Sequence, residues 1–132
     1  RIERECFSLP WSAQQLRAQL GEGYIFLAAE AEGEIAGYVG MQFVLDEGYI
    51  SNVAVSESAR RRGAGGALIA ELLERAQKLG LAFVTLEVRE SNLPAIALYA
   101  KHGFAVEGRR KNYYEKPRED ALIMTRRFEN PQ

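Results

Sequence analysis

ISNVAVSESARRRGAGG, residues 50–66, is the segment from which the architecture of this protein can be inferred. Its opening residues, 50–55, alternate and are rich in β-branched side chains, which predicts a strand. From Ala67 the apolar residues recur with the helical period as far as Gly80, so the glycine-rich loop, residues 60–66, joins a strand to a helix. Because the first N–H groups of a helix have no intrahelical partner and carry the positive end of the helix dipole, this loop predicts a phosphate-binding site.

The spacing of the glycines excludes two common phosphate-binding motifs. A dinucleotide-binding loop requires a third glycine where this chain has Leu68, and a Walker loop requires Gly-Lys followed by Ser or Thr, which this sequence lacks. After these two exclusions, the motif that remains in the loop is Arg-x-x-Gly-x-Gly. On the loop alone two interpretations stay open: a binding loop for another phosphate ligand, or a glycine-rich turn whose arginines are solvated.

Length and composition narrow the class of protein. The 132 residues predict a single domain, residues 1–132, and 47% hydrophobic and 27% charged residues are typical of a globular protein. A net charge of −1 gives no support to direct nucleic-acid binding. With one cysteine, Cys6, and one histidine, His102, neither an internal disulfide nor a Cys/His zinc site can form, and no metal is expected.

The same sequence contains no apolar run of roughly 20 residues and no signal-peptide pattern, so we expect a cytoplasmic protein with no membrane partner. The chain opens on a segment typical of the end of a helix. We therefore expect an initial strand to be missing from it.

The hydrophobic pattern predicts one mixed α/β sheet. Three strands form an antiparallel meander, the phosphate-loop helix then connects the third strand to a parallel neighbour, and further helices flank the sheet. The expected elements are a helix from Ser12 to Gly21, strands at 24–31, 35–45 and 49–55, a helix at 64–79, a strand at 82–88, a helix from Asn92 to His102, and closing strands at 104–107 and 121–127.

Two residues are candidates for acid–base chemistry. Glu87 is a carboxylate in an otherwise apolar strand, so it is a general base facing a cleft, one half of an ion pair with Arg89 or another arginine, or simply exposed at the edge of the sheet. Tyr99 lies in the middle of the following helix. Its ring is either simply core, or core with a hydroxyl that reaches a cleft and protonates a departing thiolate.

Two further features have both a structural and a functional interpretation. Asn92 is an expected helix N-cap that could also bond a ligand amide. Residues 108–115, an expected loop, join three cations to Tyr113 and Tyr114. In the structural interpretation, this segment is a solvated loop or a weak nucleic-acid-binding patch. In the functional interpretation, the two tyrosines form a wall for a peptide, and the cations lie near the outer phosphates of a coenzyme.

Taken together, these motifs resemble the GNAT superfamily of N-acetyltransferases, and within it the bacterial ribosomal-protein alanine N-acetyltransferases. The phosphate loop indicates only the superfamily, whereas the Leu-Glu-Val-Arg-x-Ser-Asn run and the Asn-Tyr-Tyr segment indicate the branch. The resemblance covers essentially the whole chain. Its most specific segments are 9–12, 45–47, 52–55, 60–66, 86–92, 95–99, 109–114 and 119–124.

The resemblance implies a GNAT fold and an acetyl-CoA co-substrate without a metal. By position, the general base falls on Glu87 and the general acid on Tyr99, and Tyr113 and Tyr114 are expected to contact the substrate. The expected acetyl-CoA contacts are Val53, Ala54, Val55, Arg61, Arg62, Gly63, Ala64, Gly65, Gly66 and Asn92.

The implied reaction is direct acetyl transfer to the α-amine of an N-terminal alanine of a small-subunit ribosomal protein. Two alternatives stay open. One is a GNAT acetyltransferase for lysine or small amines, and the other is a CoA-binding regulatory module without turnover.

Overall fold

The fold is a seven-stranded mixed sheet with two helices, seen in a computed structural model that describes residues 16–21, 23–31, 34–55 and 63–128. The strand order across the sheet is β1-β2-β3-β4-β5-β7-β6. The elements are β1 (Leu16–Gly21), β2 (Tyr24–Ala31), β3 (Glu34–Val44), β4 (Glu47–Val55), α1 (Ala64–Lys78), β5 (Phe83–Arg89), α2 (Leu93–Lys101), β6 (Ala105–Glu115) and β7 (Arg118–Arg127).

The expected architecture is confirmed. Strands β2, β3 and β4 form an antiparallel meander, and α1 connects β4 to its parallel neighbour β5. Strands β5, β7 and β6 continue the sheet with antiparallel pairing. Within the described ranges, no helix has the length and apolar character needed to cross a membrane.

The first element differs from the sequence-based prediction. We expected a helix from Ser12 to Gly21; Ser12 lies outside the described residues, but Leu16–Gly21 is strand β1. The spacing of Leu16 and Leu20 suits a helix, yet together with Ala18 it equally suits the two-residue period of a strand. Pairing along β2, from Leu16↔Ala29 to Gly21↔Tyr24, selects the strand because tertiary context overrides local helix propensity.

The prediction of a loop at residues 108–115 was also wrong, because β6 runs on through Glu115 and pairs with β7. Charged residues have low strand propensity, but β6 is the last strand of this sheet, where polar side chains remain solvated. Two register shifts, at Val106/Gly108 and Arg110/Tyr114, accommodate the irregular sequence. Strand β7 correspondingly begins at Arg118, three residues earlier than expected.

The core lies between α1 and one face of the sheet. The apolar positions of α1 are buried, with Leu72 fully so, and they pack against inward-facing side chains of β2 to β5. Strand β5 alternates strictly: Val84, Leu86 and Val88 face this core, and Glu87 lies on the opposite face. The α1 residues in the core cluster are Ala64, Leu68, Ile69, Leu72, Leu73 and Ala76.

The sheet opens between its two parallel strands. Strands β4 and β5 pair only over Glu47↔Phe83, Gly48↔Val84 and Tyr49↔Thr85. Beyond Tyr49, β4 continues to Val55 and β5 to Arg89 without pairing to each other. This leaves a wedge-shaped opening in the sheet beside the start of α1.

Candidate active site

A cavity of about 620 Å³ lies at the mouth of this opening. Its walls are the end of β4, the first turn of α1 and one side of α2 with the residue that follows it. The lining residues are Val53, Ala54, Val55, Gly63, Gly65, Gly66, Asn92, Pro94, Ala95, Ala97, Leu98, Tyr99, Lys101 and His102.

Most of the residues expected to hold a coenzyme meet at this cavity. Val53, Ala54, Val55, Gly63, Gly65, Gly66 and Asn92 line it. Ala64 does not, because its side chain is fully buried in the core. Arg61 and Arg62 lie outside the described residues, as do Arg60, Cys6 and the chain's first residues.

The start of α1 has the properties of an anion site. Gly63 is the N-cap, with a φ of 85° that suits glycine, and it has no side chain that could cap the helix amides. A Cβ on Gly65 would lie 3.3 Å from Leu98 Cδ2 and 3.7 Å from Val55 Cγ2, so a larger side chain would enter the cavity wall. The first turn therefore presents backbone N–H groups with little side-chain cover, which suits a phosphate group.

Asn92 has the structural role expected of it, since its Oδ1 accepts a hydrogen bond from the Ala95 N–H at 3.3 Å and caps α2. Pro94 lies in the first turn of that helix, where its missing N–H costs nothing. Asn92 is also part of the cavity wall. Capping thus does not remove it from reach of a ligand.

Tyr99 connects the core to the cavity. It is only 6% exposed, its ring lies 5.7 Å from the Phe104 ring, and it forms part of the cavity lining. Burial, with a smaller contribution from Tyr114, raises the pKa of Tyr99 to about 12. The phenol therefore keeps its proton at neutral pH and is a hydrogen-bond donor at the cavity.

Glu87 lies on the other face of β5, and its side chain is 9% exposed. Its Oε1 accepts a hydrogen bond from the Tyr49 hydroxyl, and its Oε2 accepts one from Arg110 Nε at 2.8 Å. The expected ion pair is therefore present, but with Arg110 of β6. Arg89 instead donates to Glu119 Oε1 at 3.2 Å.

Strand β6 brings the two tyrosines of the Asn-Tyr-Tyr segment to the active centre. Their rings make an edge-on contact at 5.0 Å, and the Arg89 guanidinium lies 4.2 Å from the centre of the Tyr114 ring. Tyr113 lies next to Tyr49, and Tyr114 lies close enough to Tyr99 and to Glu87 to interact electrostatically with both. Tyr114 is thus near both candidate acid–base groups, whereas Tyr113 is near the Tyr49 hydroxyl that binds Glu87.

The cations of this segment are not arranged as expected. Instead of standing free for a coenzyme's phosphates, Arg109 donates to Glu90 Oε1 at 2.5 Å and to Asp120 Oδ2 at 3.2 Å. Arg110 is held by Glu87. Both guanidinium groups form ion pairs with carboxylates of neighbouring strands and turns. The local sequence does not reveal these pairs.

Sequence reasoning missed Tyr49 and the two cavity residues Lys101 and His102. The contact between Tyr49 and Glu87 follows from the pairing Tyr49↔Thr85, and no local pattern gives that register. His102 was expected only as the last residue of a helix. Burial, then the nearby Lys101 and Arg126, lower its pKa, so its neutral form is favoured.

No group of three or more His, Cys, Asp or Glu side chains in the described part of the chain is arranged to hold a metal ion. The site thus combines a helix start without a side-chain cap, the edge of β4 beyond its pairing with β5, a buried phenol and a carboxylate held by two donors. This combination suits an acyl-CoA-dependent transferase.

Comparison with known proteins agrees with this class. The model of the acetyltransferase (GNAT) family matches residues 1–104, and the chain belongs to that family. It is an acetyltransferase that uses acetyl-CoA as its co-substrate.

Individual relatives are more specific. The chain is 40% identical over 125 residues to the [ribosomal protein bS18]-alanine N-acetyltransferase of Escherichia coli K12, covering 93% of this chain and 84% of that protein. The enzyme of the same name from Salmonella typhimurium LT2 is 38% identical over 126 residues, or 94% of this chain and 85% of the relative. The crystal structure of the E. coli ribosomal-protein-S18-alanine N-acetyltransferase superimposes with a TM-score of 0.79 and 36% identity, covering 90% of this chain and 84% of that one.

Proposed function

We propose that this enzyme acetylates the α-amine of the N-terminal alanine of ribosomal protein bS18. The observation that carries the proposal is the 40% identity, over 93% of this chain, to an enzyme named for that reaction. The aromatic rim formed by Tyr113 and Tyr114 beside Glu87 supports a peptide acceptor, since tyrosines bind extended peptides with little loss of side-chain entropy.

The residues around the cavity fit acetyl-CoA. The backbone of Val53, Ala54 and Val55 faces the opening and can pair with the amides of the pantetheine arm. The N–H groups of Gly65 and Gly66 can receive the pyrophosphate at the start of α1. When bound, the co-substrate supplies an activated thioester, and backbone donors near its carbonyl would stabilise the negative charge that develops on the oxygen.

Two side chains are assigned to the acid–base steps. Glu87 accepts the proton that the substrate nitrogen loses as the C–N bond forms, directly or through a water, and Tyr99, as the general acid, donates a hydrogen bond to the sulfur as the C–S bond breaks. They approach from opposite faces of β5, so the reacting atoms would lie between them in the opening. Direct attack needs no acyl-enzyme on a protein nucleophile.

The chemistry of the acceptor also favours an α-amine. With a reference pKa of about 8, roughly a tenth of an N-terminal amine is unprotonated at pH 7, against well under about 0.1% of a lysine with a pKa of about 10.4. A carboxylate base then has only to collect the proton released during attack. It does not have to deprotonate an ammonium group with a high pKa.

The test is intact-mass detection of acetyl transfer to two peptides from the organism's own bS18. One has its free N-terminal alanine, and the other is blocked at the N-terminus but retains a lysine. We expect acetylation of the free-alanine peptide alone. Acetylation of the blocked peptide would contradict α-amine specificity, and transfer to neither, with acetyl-CoA bound, would refute the proposed acceptor.

The role of Glu87 is tested by Glu87→Gln, which keeps the shape of the side chain but removes the proton acceptor. We expect a slowing of at least about tenfold under single-turnover conditions, with acetyl-CoA binding retained. A full rate when chemistry is limiting would show that Glu87 is structural.

A further inference from the structure

The Glu87 carboxylate is held by donors from two separate strands. The Tyr49 hydroxyl of β4 binds Oε1 and the Arg110 guanidinium of β6 binds Oε2. Tyr49 is also the last β4 residue that pairs with β5, and Glu87 lies two residues beyond its partner Thr85. The hydroxyl therefore reaches across the point where the sheet begins to open.

This arrangement fixes a side chain that would otherwise be mobile. A glutamate has three side-chain torsions, and a donor on each oxygen restrains all of them. Each carboxylate oxygen has two lone pairs, so Oε1 and Oε2 can each keep one donor and still accept a proton or a water. Tyr49 and Arg110 thus restrain Glu87 without occupying its whole acceptor capacity.

Tyr49 also lies next to the aromatic rim formed by Tyr113 and Tyr114. It lies next to Tyr113, which is 45% exposed. The hydrogen bond to Glu87, then burial and the neighbouring Tyr113, raise the pKa of Tyr49 above its ordinary value. Its hydroxyl consequently remains protonated, as a donor must. A chain of contacts runs from Tyr113 through Tyr49 to Glu87.

We propose that Tyr49 is a positioning residue whose hydroxyl aims the Glu87 carboxylate into the opening between β4 and β5. The inference deepens the proposed function, because it rests on Glu87 as the proton acceptor. Tyr49 is absent from the cavity lining, so its role concerns the chemical step and not acetyl-CoA binding.

The test is Tyr49→Phe, which removes one hydroxyl and keeps the ring. Loss of a hydrogen bond to a charged group predicts a kcat lowered by about tenfold, with the KM for acetyl-CoA unchanged. Arg110 of β6 also binds Glu87 and is untouched by this change.

Tyr38→Phe is the matched control. This is the same chemical change on β3, where the Tyr38 ring stacks on Phe26 at 5.6 Å, and Tyr38 does not belong to the cavity lining or to the contacts of Glu87. We expect its kcat and its KM for acetyl-CoA to match those of the unchanged enzyme.

A double variant separates positioning from other effects. If Tyr49 acts through Glu87, adding Tyr49→Phe to Glu87→Gln should slow the reaction no further. A Tyr49→Phe enzyme with unchanged kcat, alongside a slow Glu87→Gln enzyme, would overturn the inference while leaving the proposed function intact. A Glu87→Gln enzyme with full single-turnover rate would instead overturn the role of Glu87 itself, and the inference with it.

Discussion

Removal of the Tyr99 hydroxyl tests how the departing sulfur is stabilised. Tyr99→Phe keeps a ring that is 6% exposed and packed 5.7 Å from Phe104, so only the hydroxyl is lost. We expect the fold and acetyl-CoA affinity to be retained and the chemical step to slow. The size of that slowing distinguishes a hydrogen bond from a complete proton transfer.

The expected size of this slowing follows from the pKa values of the Tyr99 phenol and of the departing thiol. Burial raises the pKa of Tyr99 to about 12, whereas an ordinary thiol has a pKa of about 8.5. Complete transfer of the phenol proton to a free thiolate is therefore uphill by about 3.5 pKa units, or about 5 kcal/mol. A thiolate that weakly basic can leave without being fully protonated, so a hydrogen bond from Tyr99 to the developing charge is sufficient.

A hydrogen bond to a charged group contributes about 1.5–3 kcal/mol, which corresponds to a rate loss of about 10- to 150-fold. The assay is single-turnover transfer to the alanine peptide at saturating acetyl-CoA, with Tyr38→Phe as the control. Tyr99 stays protonated up to a pH near its raised pKa. Its ionisation should therefore cause no fall in the wild-type rate below about pH 11.

Two results would refute this reasoning. A loss under about threefold in Tyr99→Phe, with chemistry limiting, would mean that the hydroxyl does not reach the leaving group. A loss of more than about 1000-fold would exceed what one hydrogen bond supplies and would mean that complete proton transfer is required.

Three other changes test the core, the cap and the cavity. Leu72→Ala should lower the free energy of unfolding in urea by about 2–5 kcal/mol, whereas Leu79→Ala, at a side chain 51% exposed, should change it by less than about 0.5 kcal/mol; similar losses would contradict the burial assigned to α1. Asn92→Ala should lower the free energy of unfolding by about 1 kcal/mol through loss of the cap, and Asn92→Asp should restore this stability but not the KM for acetyl-CoA. Restoration of both by Asn92→Asp would limit Asn92 to capping. Gly65→Val should weaken acetyl-CoA binding in calorimetry by at least about tenfold, because its side chain would meet Leu98 and enter the cavity; unchanged affinity would place the ligand elsewhere.

Local sequence was sufficient where one periodicity dominates. The β-branched alternation of residues 50–55 and the helical spacing after Ala67 are each unambiguous, so β4 and α1 were predicted within about two residues of their observed bounds. The parallel pairing of β4 with β5 followed from topology, since a helix between two strands returns the chain in the same direction.

Prediction failed where pairing with a distant segment decides the structure. Residues 16–21 satisfy both a helical and a strand pattern, and β2 selects the strand. Strand β6 has no apolar alternation beyond Val106, and it is held by β7 and by ion pairs such as Arg109 with Asp120. Such interactions join residues that the local pattern cannot connect.

The active centre depends on the same non-local information. Glu87 and Tyr99 could be proposed as acid–base groups from residue type and position, but the groups around Glu87 follow from where pairing between β4 and β5 stops. Because pairing ends at Tyr49, the strands beyond it diverge and leave room for a ligand, while the last paired residue remains close enough for its hydroxyl to reach Glu87. One register therefore sets both the width of the opening and the placement of the carboxylate at its edge. A shift by one residue would turn Tyr49 to the other face and remove its hydroxyl from Glu87, so the proposed proton acceptor depends on the pairing of β4 with β5 as much as on the side chains themselves.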